Sequence, residues 1–154
     1  MVFGFKEQIR MTKINLSLYA LLIFMFLGCE NRVEQGASKV HWDRDMCARC
    51  VMVISDRKNT VQLQDPATKK VYKFDDIGCM AIWFIDENIN FNEGSDIWIT
   101  DADTGEWIDA RKAFYTTGNL TPMAFGFSAY KSKVSIRNSE EVIDYKEVLK
   151  RVTQ

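Results

Sequence analysis

Residues 45–52 read DMCARCVM, which sets Cys47 and Cys50 two residues apart with Met46 before them and Met52 after. A Cys-x-x-Cys pair has three ordinary uses. It can run disulfide exchange, which draws on a lowered thiol pKa; it can supply half of a zinc site, which takes four nitrogen or sulfur ligands; or it can clamp a softer ion. The thioethers bear on the choice. With the chain extended from Cys50, side chains at i and i+2 share one face, so Cys50 and Met52 point the same way. Thiolate and thioether are both soft donors, and together they select Cu(I) over harder divalent ions. Methionine adds no charge and needs no deprotonation, which suits a site that binds without trapping. A methionine between valines is equally what core packing of a strand looks like, so spacing alone leaves both readings of Met52 open. Met46, beside Cys47, is a weaker candidate of the same kind.

A second soft donor stands far downstream. LTPMAFGF places Met123 directly after Pro122 in a Gly-flanked loop, where the proline ring restrains the backbone and a loop methionine can close over a metal held by the cysteines. His41 is either a ligand or a surface residue beside Trp42. Cys79, between Gly78 and Met80, reads as a small buried residue of a helix face. A Cys₃His zinc site from His41, Cys47, Cys50 and Cys79 is the alternative use of the same residues. Disulfide exchange fits less well, because redox folds open a helix with this motif after a strand of a βαβ unit, whereas here it precedes strands. Asp75 and Asp76 read as helix-capping carboxylates. The chain has no Gly-rich phosphate loop, no nucleophile elbow, and no histidine set to activate a serine, so the sequence points to a non-enzyme.

Where these residues work is indicated by the N-terminus. The uncharged, mostly apolar run Leu16–Leu27 follows Lys13 and ends at Gly28-Cys29. It is too short for a membrane-spanning helix, which needs about 20 residues, and suits the h-region of a signal peptide. A small residue before a cysteine at that point resembles a bacterial lipobox, with Phe26 standing where leucine is usual. Residues 1–28 are then a lipoprotein signal peptide, Cys29 is lipidated, and 29–39 is a polar tether. Met11 begins a more compact signal of the same kind, so either Met1 or Met11 serves as the start. An uncleaved anchor helix is the alternative, and it also tethers the domain outside the cytoplasm. Of the four cysteines, Cys29 thus goes to lipid and three remain; three thiols cannot all pair within one chain. The formal net charge of −1, with acids and bases interspersed, offers no footprint for nucleic acid. At 154 residues and 47% hydrophobic content the chain has material for one domain with a real core.

The elements follow from periodicity. VMVIS, TVQLQD and KVYKF read as strands, with DPATKK a turn. At Asp75 or Asp76 the period changes to that of a helix presenting Ile77, Met80, Ala81, Phe84 and Ile85. DIWIT begins a second block, WIDARKAFYTT reads as one long extended run, and a further strand lies within GNLTPMAFGFSAYKSKVSI. SEEVIDYKEVLKRV closes the chain as a helix with the stripe Val142, Tyr145, Val148, Leu149 and Val152. The expected class is α+β with antiparallel strands, in two successive ββα-type units over about 40–92 and 93–154 of a single domain, 40–154.

Taken together, LGC, MCARCVM, YKFDDIGCMAIW and LTPMAFGFSAY resemble the NosL family, lipoprotein accessory factors of nitrous oxide reductase. The motifs occur in the family's order over nearly the whole mature chain. The resemblance implies a periplasmic, membrane-anchored Cu(I) chaperone that serves assembly of the reductase's copper-sulfide centre. Its partners would be the apo-reductase and an ABC-type transporter complex. It implies a fold of two related ββα-type units similar to part of the organomercurial lyases, without making the chain a lyase. It assigns metal ligation to Cys47, Cys50 and Met52 and to the downstream Met123, and it places no motif on His41. A zinc-stabilised or generic metal-binding lipoprotein and a thiol-disulfide oxidoreductase remain the other readings.

Overall fold

The structure, a computed structural model, describes residues 36–89, 94–137 and 140–154. The signal segment 1–28, Cys29 and the tether as far as residue 35 lie outside the described residues, as does Ser139. Among the described residues no helix is long and apolar enough to cross a membrane.

Alternating β-branched and polar residues make β1 (Val61–Gln64) and β2 (Val71–Phe74), joined as a hairpin in the register Val61↔Phe74 and Leu63↔Tyr72. The turn between them is set by Asp65, whose carboxylate accepts from the Ala67 amide at 2.8 Å and the Thr68 hydroxyl at 2.6 Å. On the other side of β1 lies β3 (Asp96–Thr100), with Leu63↔Ile97 and Val61↔Ile99, and beyond it β4 (Trp107–Asp109). The order β2-β1-β3-β4 therefore draws strands from both sequence blocks into one antiparallel sheet. Val61, Leu63, Ile97, Ile99 and Ile108 of this sheet are buried in the core. Gln62, also buried, holds Ser38 at both backbone groups, accepting from its amide at 2.9 Å and donating to its carbonyl at 2.7 Å, so the chain is fixed to the sheet from Ser38 onward.

A second antiparallel sheet has the order β6-β5-β7, from β5 (Phe114–Thr116), β6 (Ser128–Tyr130) and β7 (Val142–Ile143). Two helices complete the fold: α1 (Ile77–Asp86), which buries Ile77, Met80, Trp83 and Phe84, and α2 (Tyr145–Val152), which packs against α1 and β5. The α+β class with antiparallel strands is the one expected.

Three local expectations are corrected. VMVIS is not a strand: only an isolated Met46–Val53 bridge forms, because Val51 takes a left-handed backbone, φ 61°. WIDARKAFYTT is not one extended run, since the Asp109 carboxylate takes the Arg111 amide at 3.0 Å and turns the chain from β4 in one sheet to β5 in the other. The closing helix starts late. Asp144 caps it by accepting from the Glu147 amide at 2.9 Å, while Val142 and Ile143 pair with Thr116 and Tyr115 as a strand.

Candidate metal centre

The Cys47–Met52 segment is folded back on itself. The Val51 amide donates to the Cys47 carbonyl at 3.1 Å, and the Cys47 amide donates to the Met52 carbonyl at 2.8 Å. The left-handed Val51 makes that closure possible, at the cost of a conformation that a β-branched residue seldom adopts. The loop is tied to β2 at Lys73, whose carbonyl accepts from the Ala48 amide at 2.8 Å and whose Nζ meets Asp45 Oδ2 at 2.6 Å. Cys47 consequently faces inward and Cys50 is half-buried.

From β2 the chain runs directly into α1. Asp76 caps that helix by accepting from the Gly78 amide at 3.0 Å, and Cys79, in the first turn, has no solvent exposure. The Sγ atoms of Cys47, Cys50 and Cys79 all lie within 4.8 Å of one another, and all three thiols are free. Metal–thiolate bonds of about 2.3 Å place sulfurs about 4 Å apart around one ion, so the three need only a small contraction to share a metal.

Charge in this cluster is unevenly distributed. Cys47 is pulled down to about 5, first by the Cys79 thiol that donates to it and then by the backbone amides of Cys50, Asp75 and Arg49, against the effect of burial. Cys79 is pushed up strongly by the Cys47 sulfur it serves, and by burial. Burial also raises Cys50, and the neighbouring Cys47 adds to the shift. In the metal-free cluster negative charge is thus favoured on Cys47, with the Cys79 thiol as its donor. Arg49, between the paired cysteines, reaches across to Asp86 at 2.9 Å and also lies against Cys79. Asp75 is buried with Oδ1 lacking a hydrogen-bond partner, and its carboxyl is raised to about 6 by burial first and by the Cys47 charge second.

Of the residues the sequence singled out, Cys47 and Cys50 come together, and Cys79 joins them in place of His41. The His41 side chain is 54% exposed, with Nδ1 3.6 Å from Asp45 Oδ1, and it is not part of the thiol group. Met46 and Met52 are both exposed on the cysteine loop, and the expectation that an extended chain aligns Met52 with Cys50 loses its premise at Val51. Met123 is half-buried against the core in a loop closed by its own hydrogen bonds. Cys79 reads first as a buried residue of the helix face and, in the zinc alternative, as a fourth ligand beside His41; its burial agrees with the first reading, and its place beside the other two thiols is what the structure adds.

No family model matches the sequence, and no curated protein does. Among solved structures, the crystal structure of the copper chaperone NosL from Shewanella denitrificans is similar, with a TM-score of 0.60. Its identity to this chain is 14%, over 73% of this chain and 95% of that one. The fold is NosL-like. Within that NosL-like fold, the three thiols form a group whose chemistry and spacing suit a metal ion.

Proposed function

We propose that this chain is a Cu(I) carrier of the cell envelope. In this reading it is held to a membrane by lipid on Cys29, faces the periplasm, and delivers copper for the copper-sulfide centre of nitrous oxide reductase. Its partners are the apo-reductase and an ABC-type transporter complex. The supporting observation is the gathering of Cys47, Cys50 and Cys79 within 4.8 Å in a fold like that of a copper chaperone. Three sulfur donors favour a soft ion, and Cu(I) is content with three, whereas structural zinc is closed by four. Met52, exposed on the ligand loop, and Met123 are the thioethers available to assist.

The test is competition. The reduced 154-residue chain is titrated with Cu(I) against a strong chelator, and with Zn²⁺, then again as Cys47→Ser, Cys50→Ser and Cys79→Ser. Binding of Cu(I) no tighter than Zn²⁺, or substitutions without effect, would remove the reading. The depressed Cys47 thiol favours one other use, disulfide exchange. Insulin reduction by the metal-free protein would support that use instead.

A further inference from the structure

Residues 119–126 form a closed loop. The Asn119 amide donates to the Gly126 carbonyl at 3.1 Å and the Ala124 amide to the Thr121 carbonyl at 3.0 Å. The Gly126 amide donates to Thr121 Oγ1 at 3.1 Å. Ala124, φ 58°, and Gly126, φ 80°, turn the chain inside it. Bonded to itself in this way, the loop behaves as one piece, and its position depends on what lies beneath.

Beneath it is the first turn of α1. The Phe125 ring rests on the backbone of Gly78 so closely that a methyl group at position 78 would overlap the base of the ring. That part of the ring lies one bond from Cβ, so relieving the overlap takes a change of the Phe125 χ1 rotamer or a shift of the loop, and either unseats the ring from Gly78. Asp76 has no solvent exposure; Oδ1 takes the Gly78 amide, while Oδ2 is buried without a hydrogen-bond partner. Burial raises its carboxyl, and the Thr121 hydroxyl with the amides of Met123 and Phe125 offsets part of that rise. Thr121 Oγ1 already accepts from Gly126, which leaves its proton free to point at the carboxylate. Both contacts fall within three residues of Cys79 along the same helix.

We propose that Gly78 and Asp76 are the seat of the 119–126 loop, and that these two positioning residues set where the Met123 thioether stands relative to the three thiols. The role toward a metal rests on the Cu(I) reading above, but the seat belongs to the metal-free protein and is testable there.

In the metal-free 154-residue chain, Gly78→Ala is expected to speed amide hydrogen exchange at residues 123–126 by about tenfold, with Ile97 and Ile99 of β3 unchanged. Asp76→Asn retains a helix cap and adds no volume, yet replaces the buried, unpartnered Oδ2 and its negative charge with a neutral amide donor beneath the loop, and should act in the same direction. With Phe125→Ala as background, Gly78→Ala should add nothing, because the ring it meets is gone. With methyl-labelled methionine and one equivalent of Cu(I), the Met123 methyl resonance, assigned by Met123→Leu, should shift in the parent chain. In Gly78→Ala that shift should be lost while the thiolate-to-copper absorption persists. If Gly78→Ala and Asp76→Asn leave both exchange and the Met123 response at parent values, the seat does not exist. A parent Met123 that ignores copper while the thiolate absorption appears overturns the positioning role. Absence of that absorption in the parent chain would remove the Cu(I) reading, and exchange would still decide the seat.

Discussion

Cys79→Ser is the substitution on which the three-thiol site stands. Serine keeps a donor of nearly the same shape at a position with no solvent exposure, and takes away one soft ligand. Groups that merely support a metal ligand are worth about 10–100-fold in affinity, so losing a direct ligand should cost at least about 100-fold in Cu(I) affinity. That is about 2.7 kcal/mol, and at fixed free Cu(I) well above both dissociation constants the copper-induced stabilisation of the fold should fall by the same amount. A chelator competition and a melting series with and without Cu(I) measure the two independently. Cys79→Ala adds a second arm. The Cys79 thiol is the foremost cause of the low Cys47 pKa, so alanine should move the Cys47 titration upward from about 5, whereas serine, still a donor, should largely preserve it. Ultraviolet thiolate absorbance followed against pH reads this directly. A Cys79→Ser variant that binds Cu(I) within a few-fold of the parent would refute Cys79 as a ligand. A Cys79→Ala variant whose Cys47 still titrates near 5 would refute the electrostatic account.

The protonation pattern also fixes how copper affinity depends on pH. Cys47 is deprotonated above about 5 while Cys50 and Cys79 are raised above the ordinary thiol value, so near neutrality Cu(I) binding to all three expels two protons. Apparent affinity should then climb about 100-fold per pH unit over this range, and a tenfold climb would mean that only one of the two thiols takes part. Val51→Gly should relieve the left-handed strain of about 1–3 kcal/mol, less the 0.5–1 kcal/mol that glycine costs in the unfolded chain, for a net gain of about 1 kcal/mol. A melting temperature that falls would show the loop to be unstrained. Asp101 accepts from the amides of Lys131 at 2.7 Å, Asp103 at 2.8 Å and Thr104 at 2.8 Å, linking the end of β3 to the end of β6. Asp101→Asn should cost about 1.5–3 kcal/mol in urea unfolding. Burial opposes its ionisation but these amides outweigh it and hold its carboxyl below the ordinary carboxylate value. Its contribution is therefore present at neutral pH and lost as pH falls through that lowered value, and a variant with unchanged acid stability would contradict this.

What could be read from the sequence was what depends on near neighbours. The β1–β2 hairpin follows from alternation plus the Asp65 turn, and α1 from its apolar spacing plus Asp76, all settled within a few residues. The misread segments are those where a distant partner decides. Val142 and Ile143 fit a helical stripe, but the open edge of β5 claims them as a strand, and the helix must wait for Asp144. VMVIS has strand composition, yet the closure of the cysteine loop on β2 twists Val51 out of the extended region.

The position of Cys79 beside the other two thiols depends on a distant partner in the same way. Helical spacing reads it as core, and its burial agrees; nothing in that pattern separates a packed thiol from a ligand. The separation comes from topology. Lys73 of β2 takes the Ala48 amide and pairs with Asp45, which clamps the cysteine loop to the end of the strand, and that strand leads straight into the first turn of α1. A loop docked at Lys73 is therefore brought against Cys79 whatever the intervening side chains. The C-x-x-C spacing identified two of the three gathered thiols because two residues suffice to span the turn between them. The third required knowing which strand edge the turn lies on.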